Sequence, residues 1–130
     1  MEAIAFFMPN SESMKNSLRH STMVDVLLWL LRRYRRYRIT GNSMMPLLHP
    51  PQEVLINPSA YQQQLPLPNE IVIASHPYEP DLRIIKRVLF VETDGRCYLQ
   101  GDNADESQDS KQFGLLPLTQ IQGKVLCLFP

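Results

Sequence analysis

Residues 82–103 have the sequence LRIIKRVLFVETDGRCYLQGDN, and this segment gives the clearest indication of the architecture. Its first ten residues are rich in the β-branched and aromatic side chains that favour strands. The Thr-Asp-Gly sequence at 93–95 is typical of a tight hairpin turn. Residues 96–99 then continue as a shorter strand that ends before Gly101-Asp102-Asn103. The segment therefore predicts an antiparallel hairpin with strands at 82–91 and 96–99.

Four other segments have strand-like composition, and short turns separate them, helped by eleven prolines in the chain. These segments are residues 38–40, 53–56, 70–74 and 124–129. No helical pattern recurs between them, so a parallel α/β sheet is not expected. We expect a mainly β protein, in which a compact antiparallel β-domain occupies residues 37–130. At 130 residues the chain is long enough for one such domain without disulfides.

The first 36 residues are expected to form a separate N-terminal region. Residues up to about His20 show no clear periodicity and are predicted to be a loosely packed arm. Ser21 or Thr22 can cap a helix that runs to about Arg33 and has one apolar face, which we expect to pack on the domain or on a partner.

Five arginines interleaved with two tyrosines follow this helix in residues 32–38. Because lysine plus arginine equals aspartate plus glutamate, the overall charge gives no reason to expect a nucleic-acid partner. We interpret the basic tract as the solvated end of a helix and the outer face of a strand, with docking to an anionic membrane surface as the alternative. The apolar run at 23–31 is shorter than the roughly 20 residues that span a bilayer, and no secretory signal is recognisable. We therefore expect a cytoplasmic protein, with peripheral membrane contact as the alternative.

Ser43 and Lys86 are the candidate catalytic pair. Serine is a weak nucleophile unless a base lies within hydrogen-bond reach, and a lysine can be that base only when its amine is neutral. Alternation along the strand places Lys86 on the same face as Leu82, Ile84 and Val88, which is apolar. Partial burial there would favour the neutral amine. Alternatively, Lys86 extends along the strand and keeps its ammonium in water.

Three ordered motifs resemble the signature motifs of the type I signal peptidase family, over about residues 38–117. They are Gly41-Asn42-Ser43-Met44-Met45-Pro46, Lys86-Arg87-Val88, and Gly101-Asp102-Asn103 followed by Ser107, Asp109-Ser110, Phe113 and Gly114. The resemblance implies that Ser43 is the nucleophile and Lys86 the general base, and that Met44 lines the substrate cleft. It also implies that Ser107 orients the lysine amine and that Asp109 braces the site, with Arg87 as a further supporting residue.

The sequence departs from the family pattern at several positions. Gly41 stands where many bacterial members have a hydroxyl residue in the oxyanion hole, so the backbone N–H of Ser43 is expected to carry more of that role. Lys111 stands where an arginine is usual, and lysine cannot form the bidentate pair with Asp109. After Val88 the residues that usually follow the lysine motif in the family are replaced by others. The family's membrane-anchoring helix is also missing, so we expect a short, anchorless member.

The resemblance further implies that the substrate is a precursor protein with an N-terminal leader, bound extended along a strand edge. A short chain with a direct hairpin into the 101–103 motif is similar to the bacterial branch that matures nickel superoxide dismutase, whose precursor is therefore the expected partner. Neither a metal nor another cofactor is expected in the peptidase itself. Cys97 and Cys127 have no metal-binding or redox spacing and are interpreted as ordinary thiols.

Several alternatives stay open. A general signal peptidase acting on exported proteins would use the same residues. A self-cleaving domain would need an Ala-Gly or Cys-Gly bond, and neither dipeptide occurs in the chain. A catalytically idle β-domain that binds an extended peptide is the alternative from a different class. The three histidines, at positions 20, 49 and 76, could form a zinc site or a Ser-His-Asp triad only through long-range folding.

Overall fold

The computed structural model describes residues 17–103 and 110–129 and contains one six-stranded antiparallel sheet. The strands are β1 (Arg35–Arg38), β2 (Glu53–Asn57), β3 (Ile71–Ser75), β4 (Arg83–Val91), β5 (Cys97–Gln100) and β6 (Ile121–Leu128). Their order in the sheet is β1-β2-β6-β3-β4-β5. A helix, α1 (Met23–Leu30), precedes the sheet, and a four-residue helix, α2 (Ser110–Phe113), follows β5. The predicted antiparallel β fold with an N-terminal helix is confirmed.

β6 holds the two parts of the sheet together. It pairs with β2 on one side and with β3 on the other, so β2 and β3 meet only through it. The register shifts once in the β2–β6 pairing, once in the β3–β6 pairing and once in the β4–β5 pairing, with the extra residue in β6, β6 and β4 respectively, and such bulges increase the local twist of a sheet. The sheet is therefore curled, and Ile39, directly after β1, shares a buried cluster with Ile85 of β4.

Two apolar clusters cover the two faces of the sheet. The first contains Val54, Ile73 and Ile85 from the strands, together with residues that come from the loop between β1 and β2. The second lies on the opposite face and is centred on Val72, Val88, Leu99 and Leu116. Alternation along the strands assigns neighbouring residues to different clusters, as with Val72 and Ile73 of β3.

Helix α1 begins and ends where its local chemistry dictates. The Thr22 hydroxyl accepts from the Asp25 N–H, and the Asp25 carboxylate accepts from the Thr22 N–H at 2.8 Å, which is a capping box. Arg32 has a φ of 62°, and the N–H of Arg33 donates to Leu28 O at 2.9 Å. This Schellman arrangement ends the helix at Leu30, three residues before the predicted end.

The first strand lies earlier than the predicted residues 38–40, and that prediction is wrong in its bounds. β1 covers Arg35–Arg38, and two of its arginines, Arg36 and Arg38, pair with Glu53 of β2, with Arg36 Nε 2.7 Å from the carboxylate. After Arg38 the chain turns inward, and Ile39 is buried, with its N–H donating to Gln52 O, directly before β2, at 2.8 Å.

None of the helices within residues 17–103 and 110–129 combines the length and the hydropathy that a bilayer span requires.

Candidate active site

Ser43 lies in the loop that connects β1 with β2, and buried neighbours hold this loop in place. Met44 and Leu48 are inserted into the first apolar cluster, and the Leu48 N–H donates to Met44 O at 2.9 Å. The Met45 N–H donates to Asn42 O at 3.1 Å, which closes a turn around Ser43. Ser43 itself is only half-buried. The loop therefore presents the serine at the surface of the domain on a firmly packed base.

Lys86 lies in the middle of β4, where it faces the second apolar cluster. Its cross-strand partner is Val72, and its neighbours on the same face are Ile84 and Val88. Only 3% of Lys86 is exposed, in agreement with the alternation expected from the sequence. A buried position of this kind disfavours the charged form of an amine relative to water.

The 101–103 turn connects the serine loop with the strand that carries the lysine. The Asn103 N–H donates to Ser43 O at 2.8 Å, and the Asn103 side-chain amide donates to Asn42 O at 3.1 Å. The preceding Asp102 carboxylate accepts two hydrogen bonds from Arg87, at 2.9 Å and 2.8 Å. Each of the three sequence motifs is thus bonded directly to another.

Arg87 is a buried anchor for this arrangement. Its side chain is 7% exposed, and besides its ion pair with Asp102 it donates to Asn69 O at 3.0 Å. Bidentate Arg–carboxylate pairs fix orientation as well as distance. The ion pair therefore fixes the turn beside Lys86, since the last β4–β5 pair is Arg87 with Gln100.

A cavity of about 170 Å³ separates the serine loop from the first half of β4. Gly41, Ser43 and Met44 line one wall, and the other wall consists of four consecutive residues of the chain, 82–85. Because consecutive residues of a strand point to opposite faces, a wall of this kind follows the edge of the strand. Lys86 is the next residue along that edge.

The edge of β4 that borders the cavity has main-chain groups available for pairing. Leu82 O and both main-chain groups of Val88 form hydrogen bonds on the β3 side of the strand. Alternation then directs the main-chain groups of Arg83 and Ile85 to the opposite side, where β5 does not reach. An extended peptide in the cavity could pair with these groups.

Comparison with known proteins agrees with this geometry. The family described as "Signal peptidase, peptidase S26" matches residues 14–95 and 91–129. The chain belongs to this signal peptidase family. The matched residues include the three motifs recognised in the sequence and the curled β-sheet that carries them.

Curated relatives of the chain are subunits of mitochondrial proteases. The chain is 33% identical over 108 residues to mitochondrial ATP-independent inner membrane protease subunit 1b of Arabidopsis thaliana, covering 66% of this chain and 64% of the relative. It is 27% identical to subunit 1a of the same plant, covering 86% and 83% of the two chains. It is 31% identical to mitochondrial inner membrane protease subunit 2 of Danio rerio, covering 67% and 59%.

The first and third of these alignments span less than two thirds of the relative's length. All three relatives are eukaryotic, and their names mention neither bacteria nor nickel superoxide dismutase. A bacterial source and that specific substrate therefore stay predictions from the sequence.

The other predicted site residues differ in their burial and in whether the structure describes them. Met44 lines the cavity, but it is only 2% exposed and belongs mainly to the core. Gly41 also lines the cavity, and a Cβ built on it would meet nothing within 4 Å. Ser107 and Asp109 lie outside the described residues.

Sequence reasoning assigned no role to Asp102 and Asn103, although both belong to a recognised motif. Only the fold shows that Asp102 pairs with Arg87 and that Asn103 holds the serine loop. The buried Ser110 was also missed as a support, and its hydroxyl accepts from the Leu99 N–H at 2.8 Å. The signal that could have identified all three is their position within the third motif.

Within the described parts of the chain, no three His, Cys, Asp or Glu side chains are grouped so that they could hold a metal ion. Cys97 and Cys127 are buried free thiols. His76 is buried, and its Nδ1 accepts from the N–H groups of Tyr78 and Glu79, so it shapes the turn before β4.

Proposed function

We propose that this protein is a serine endopeptidase that removes an N-terminal leader from a precursor protein, with Ser43 as nucleophile and Lys86 as general base. The observation that carries the proposal is the bonding of the three family motifs around one strand edge. Asn103 holds the Ser43 loop, and the Arg87–Asp102 pair fixes the same turn beside Lys86. Membership of the signal peptidase family supports the class of reaction.

The proposed mechanism uses only groups at this edge. The neutral Lys86 amine accepts the proton of the Ser43 hydroxyl as its oxygen attacks the scissile carbonyl carbon. The Ser43 N–H stabilises the negative charge that develops on the carbonyl oxygen. The resulting ammonium protonates the leaving amine, and Lys86 then activates a water molecule that hydrolyses the acyl-enzyme.

In this proposal the leader binds in the cavity between the serine loop and β4. The segment before the scissile bond lies between residues 40–43 and the open edge of β4, and it pairs with the main chain of Arg83 and Ile85. Since the cavity measures only about 170 Å³, it favours small side chains close to the cleavage site.

The substrate proposed first is the precursor of nickel superoxide dismutase, because the short loop between the lysine strand and the third motif resembles the enzymes that process it. The second candidate is the leader of an exported or membrane-targeted protein. The family description and the inner-membrane relatives favour that broader class.

Cleavage of purified precursors by the full chain tests the proposal, with mass spectrometry of the new N-terminus as the readout. Ser43→Ala and Lys86→Met should abolish cleavage while leaving thermal unfolding close to that of the wild type, because methionine matches the apolar part of lysine. Ser59→Ala, an exposed serine in the turn after β2, is the matched control and should cleave normally.

The labelling and cleavage results test the peptidase activity and the identity of the substrate separately. A fluorophosphonate probe that labels the wild type and Ser59→Ala, but not Ser43→Ala, supports the nucleophile whichever precursor is cleaved. Cleavage of an exported-protein leader alone would replace the dismutase precursor with the second candidate. A folded protein that neither labels nor cleaves, but binds leader peptides, would show the idle peptide-binding domain instead.

A further inference from the structure

Helix α1 and its C-cap present most of their apolar side chains to solvent rather than to the sheet. Five of them are between 54% and 89% exposed: Met23, Val24, Leu27, Leu30 and Leu31. Their spacing places them on one side of the helix and its C-cap, and a shallow groove of about 400 Å³ runs between Met23, Leu27 and Leu30. We call these five residues the outer apolar face.

Contacts on the other side of α1 fix this orientation. Asp25 is buried and pairs with Arg19 through bonds of 2.6 Å and 3.2 Å. Trp29 meets Phe129 edge to face, with ring centroids 4.8 Å apart. The N–H of Ser21 also donates to Leu128 O at the end of β6. The helix therefore cannot roll its outer apolar face inward without losing a buried ion pair and an aromatic contact.

Positive charge borders the outer apolar face. Arg32, Arg33 and Arg35 are exposed, and none of them forms an ion pair within residues 17–103 and 110–129. Arg36 and Arg38, by contrast, are engaged with Glu53. Three arginines thus follow within four residues of Leu31, the last residue of the outer apolar face, without an ion-paired acid in the described structure.

We propose that the outer apolar face and these three arginines dock the protein on an anionic lipid bilayer, with α1 lying flat in the headgroup layer. Apolar side chains beside a basic rim are the pattern of helices that bind in the plane of a membrane interface. A nucleic acid would engage the arginines and leave the apolar face exposed. A second copy of the chain would cover the apolar face and leave the arginines without counter-charge. An anionic bilayer engages both features together.

The length of the helix agrees with this arrangement. Eight residues at 1.5 Å each make α1 about 12 Å long, so the outer apolar face meets the bilayer side-on. The chain leaves this surface through β1 and enters the serine loop directly. Docking therefore places the candidate active site next to the membrane surface, where a leader lying in the interface would meet it.

Co-sedimentation of the full chain with lipid vesicles tests the proposal, and it does not depend on peptidase activity because the Ser43→Ala variant can be used throughout. Vesicles of phosphatidylcholine alone are compared with vesicles that contain one quarter phosphatidylglycerol. We expect the wild type to bind the anionic vesicles at least tenfold more strongly than the neutral ones. Each arginine near an anionic surface contributes about fivefold to partitioning.

Two sets of substitutions separate the contribution of the apolar side chains to vesicle binding from that of the arginines. Leu27→Glu with Leu30→Glu should reduce binding to anionic vesicles more than tenfold. Arg32→Gln with Arg33→Gln and Arg35→Gln should reduce binding to anionic vesicles to the level measured on neutral ones. Leu67→Glu is the matched control, since Leu67 is as exposed as Leu31, at 62%, but lies outside this surface, and it should bind as the wild type does.

Equal binding of the wild type and the Leu27/Leu30 variant would overturn the proposal, as would equal binding to neutral and anionic vesicles. Sedimentation-velocity ultracentrifugation without lipid provides a further test. A dimer that the same leucine substitutions dissociate, in a protein that does not bind vesicles, would assign the surface to a second copy instead.

Discussion

Replacing Asp102 by asparagine should destabilise the protein markedly, although the two side chains have nearly the same shape. Asp102 accepts two bonds from Arg87, and the two side chains are 16% and 7% exposed. Asparagine keeps one acceptor oxygen but places its NH₂ group against a guanidinium N–H. The substitution therefore removes one hydrogen bond and leaves a buried positive charge without its counter-ion.

The burial of the pair sets the expected magnitude. Removing one member of a fully buried ion pair costs about 3–5 kcal/mol. Because Asp102 keeps some contact with water and Arg87 retains its bond to Asn69 O, we expect a loss of about 2–3 kcal/mol in the free energy of unfolding. For a chain of this size, that loss corresponds to a decrease of about 6–12 °C in the melting temperature.

Urea unfolding followed by tryptophan fluorescence, together with calorimetry, measures this change. The double variant Arg87→Met/Asp102→Leu removes both charges. It should be more stable, by at least about 1.5 kcal/mol, than the summed losses of the single variants Arg87→Met and Asp102→Leu predict. Asp94→Asn is the matched control, because Asp94 also pairs with an arginine at 2.8 Å but in an exposed turn. It should leave the melting temperature essentially unchanged.

A melting temperature of Asp102→Asn within a degree or so of the wild type would refute this reasoning, as would single losses that simply add in the double variant. Either result would mean that Arg87 finds other partners when Asp102 is neutralised. The 101–103 turn would then not depend on the ion pair, and the geometric support for the catalytic proposal would be weaker.

Three further predictions concern separate parts of the molecule. Hydrogen bonds from Arg19 and from the Thr22 backbone hold the pKa of Asp25 well below its usual range, so the folded state binds fewer protons than the unfolded state in acid. The stability that Asp25 contributes to the folded state is complete above about pH 4 and is lost as the pH falls further. In the Asp25→Asn variant, the urea concentration at the unfolding midpoint should therefore depend less on pH below about 4. Burial raises the pKa of Cys97 to about 11, and at pH 8 iodoacetamide should alkylate this thiol at least about a hundredfold more slowly than in urea, measured by peptide mass spectrometry. Because space beside Gly41 is open, Gly41→Ser should fold normally and, by adding a donor to the oxyanion hole, raise kcat about tenfold or more; an unchanged kcat would place the oxyanion elsewhere.

The hairpin and the position of Lys86 could be predicted from the sequence because local signals specify both. Alternation along a nine-residue strand assigns Lys86 to the apolar face, and the Asp-Gly turn fixes which strand pairs with which. The three motifs could also be recognised from the sequence, because their composition and their order along the chain are visible there. Their convergence could not be derived in this way, because it depends on a 2.8 Å bond between Asn103 and Ser43, which are 60 positions apart.

Local composition specified the sequence interpretation less well where partners are distant. The basic tract was expected to include the outer face of a strand, and its arginines are indeed exposed in β1, but the strand begins three residues earlier than predicted, where Arg36 and Arg38 pair with Glu53. The single apolar face of the N-terminal helix predicted packing on the domain or on a partner. It does not pack on the sheet, which contacts the side that carries Asp25, because Arg19 neutralises this carboxylate from outside the helix. Packing on a partner stays a prediction. Charge pairs between segments are not visible in periodicity.

The central position of β6 has a consequence for when the protein can act. The Ser43 loop belongs to the β1–β2 part of the sheet and Lys86 to the β3–β4–β5 part, and strand pairing joins these parts through β6. The bond from Asn103 to Ser43 O is a further link, outside the sheet. β6 is the last of the six strands to leave the ribosome. We therefore expect the framework that holds Ser43 and Lys86 to be complete only once β6 has paired with β2 and β3, because contacts between distant segments form late. Activity of the proposed catalytic pair is then expected to appear with completion of the sheet.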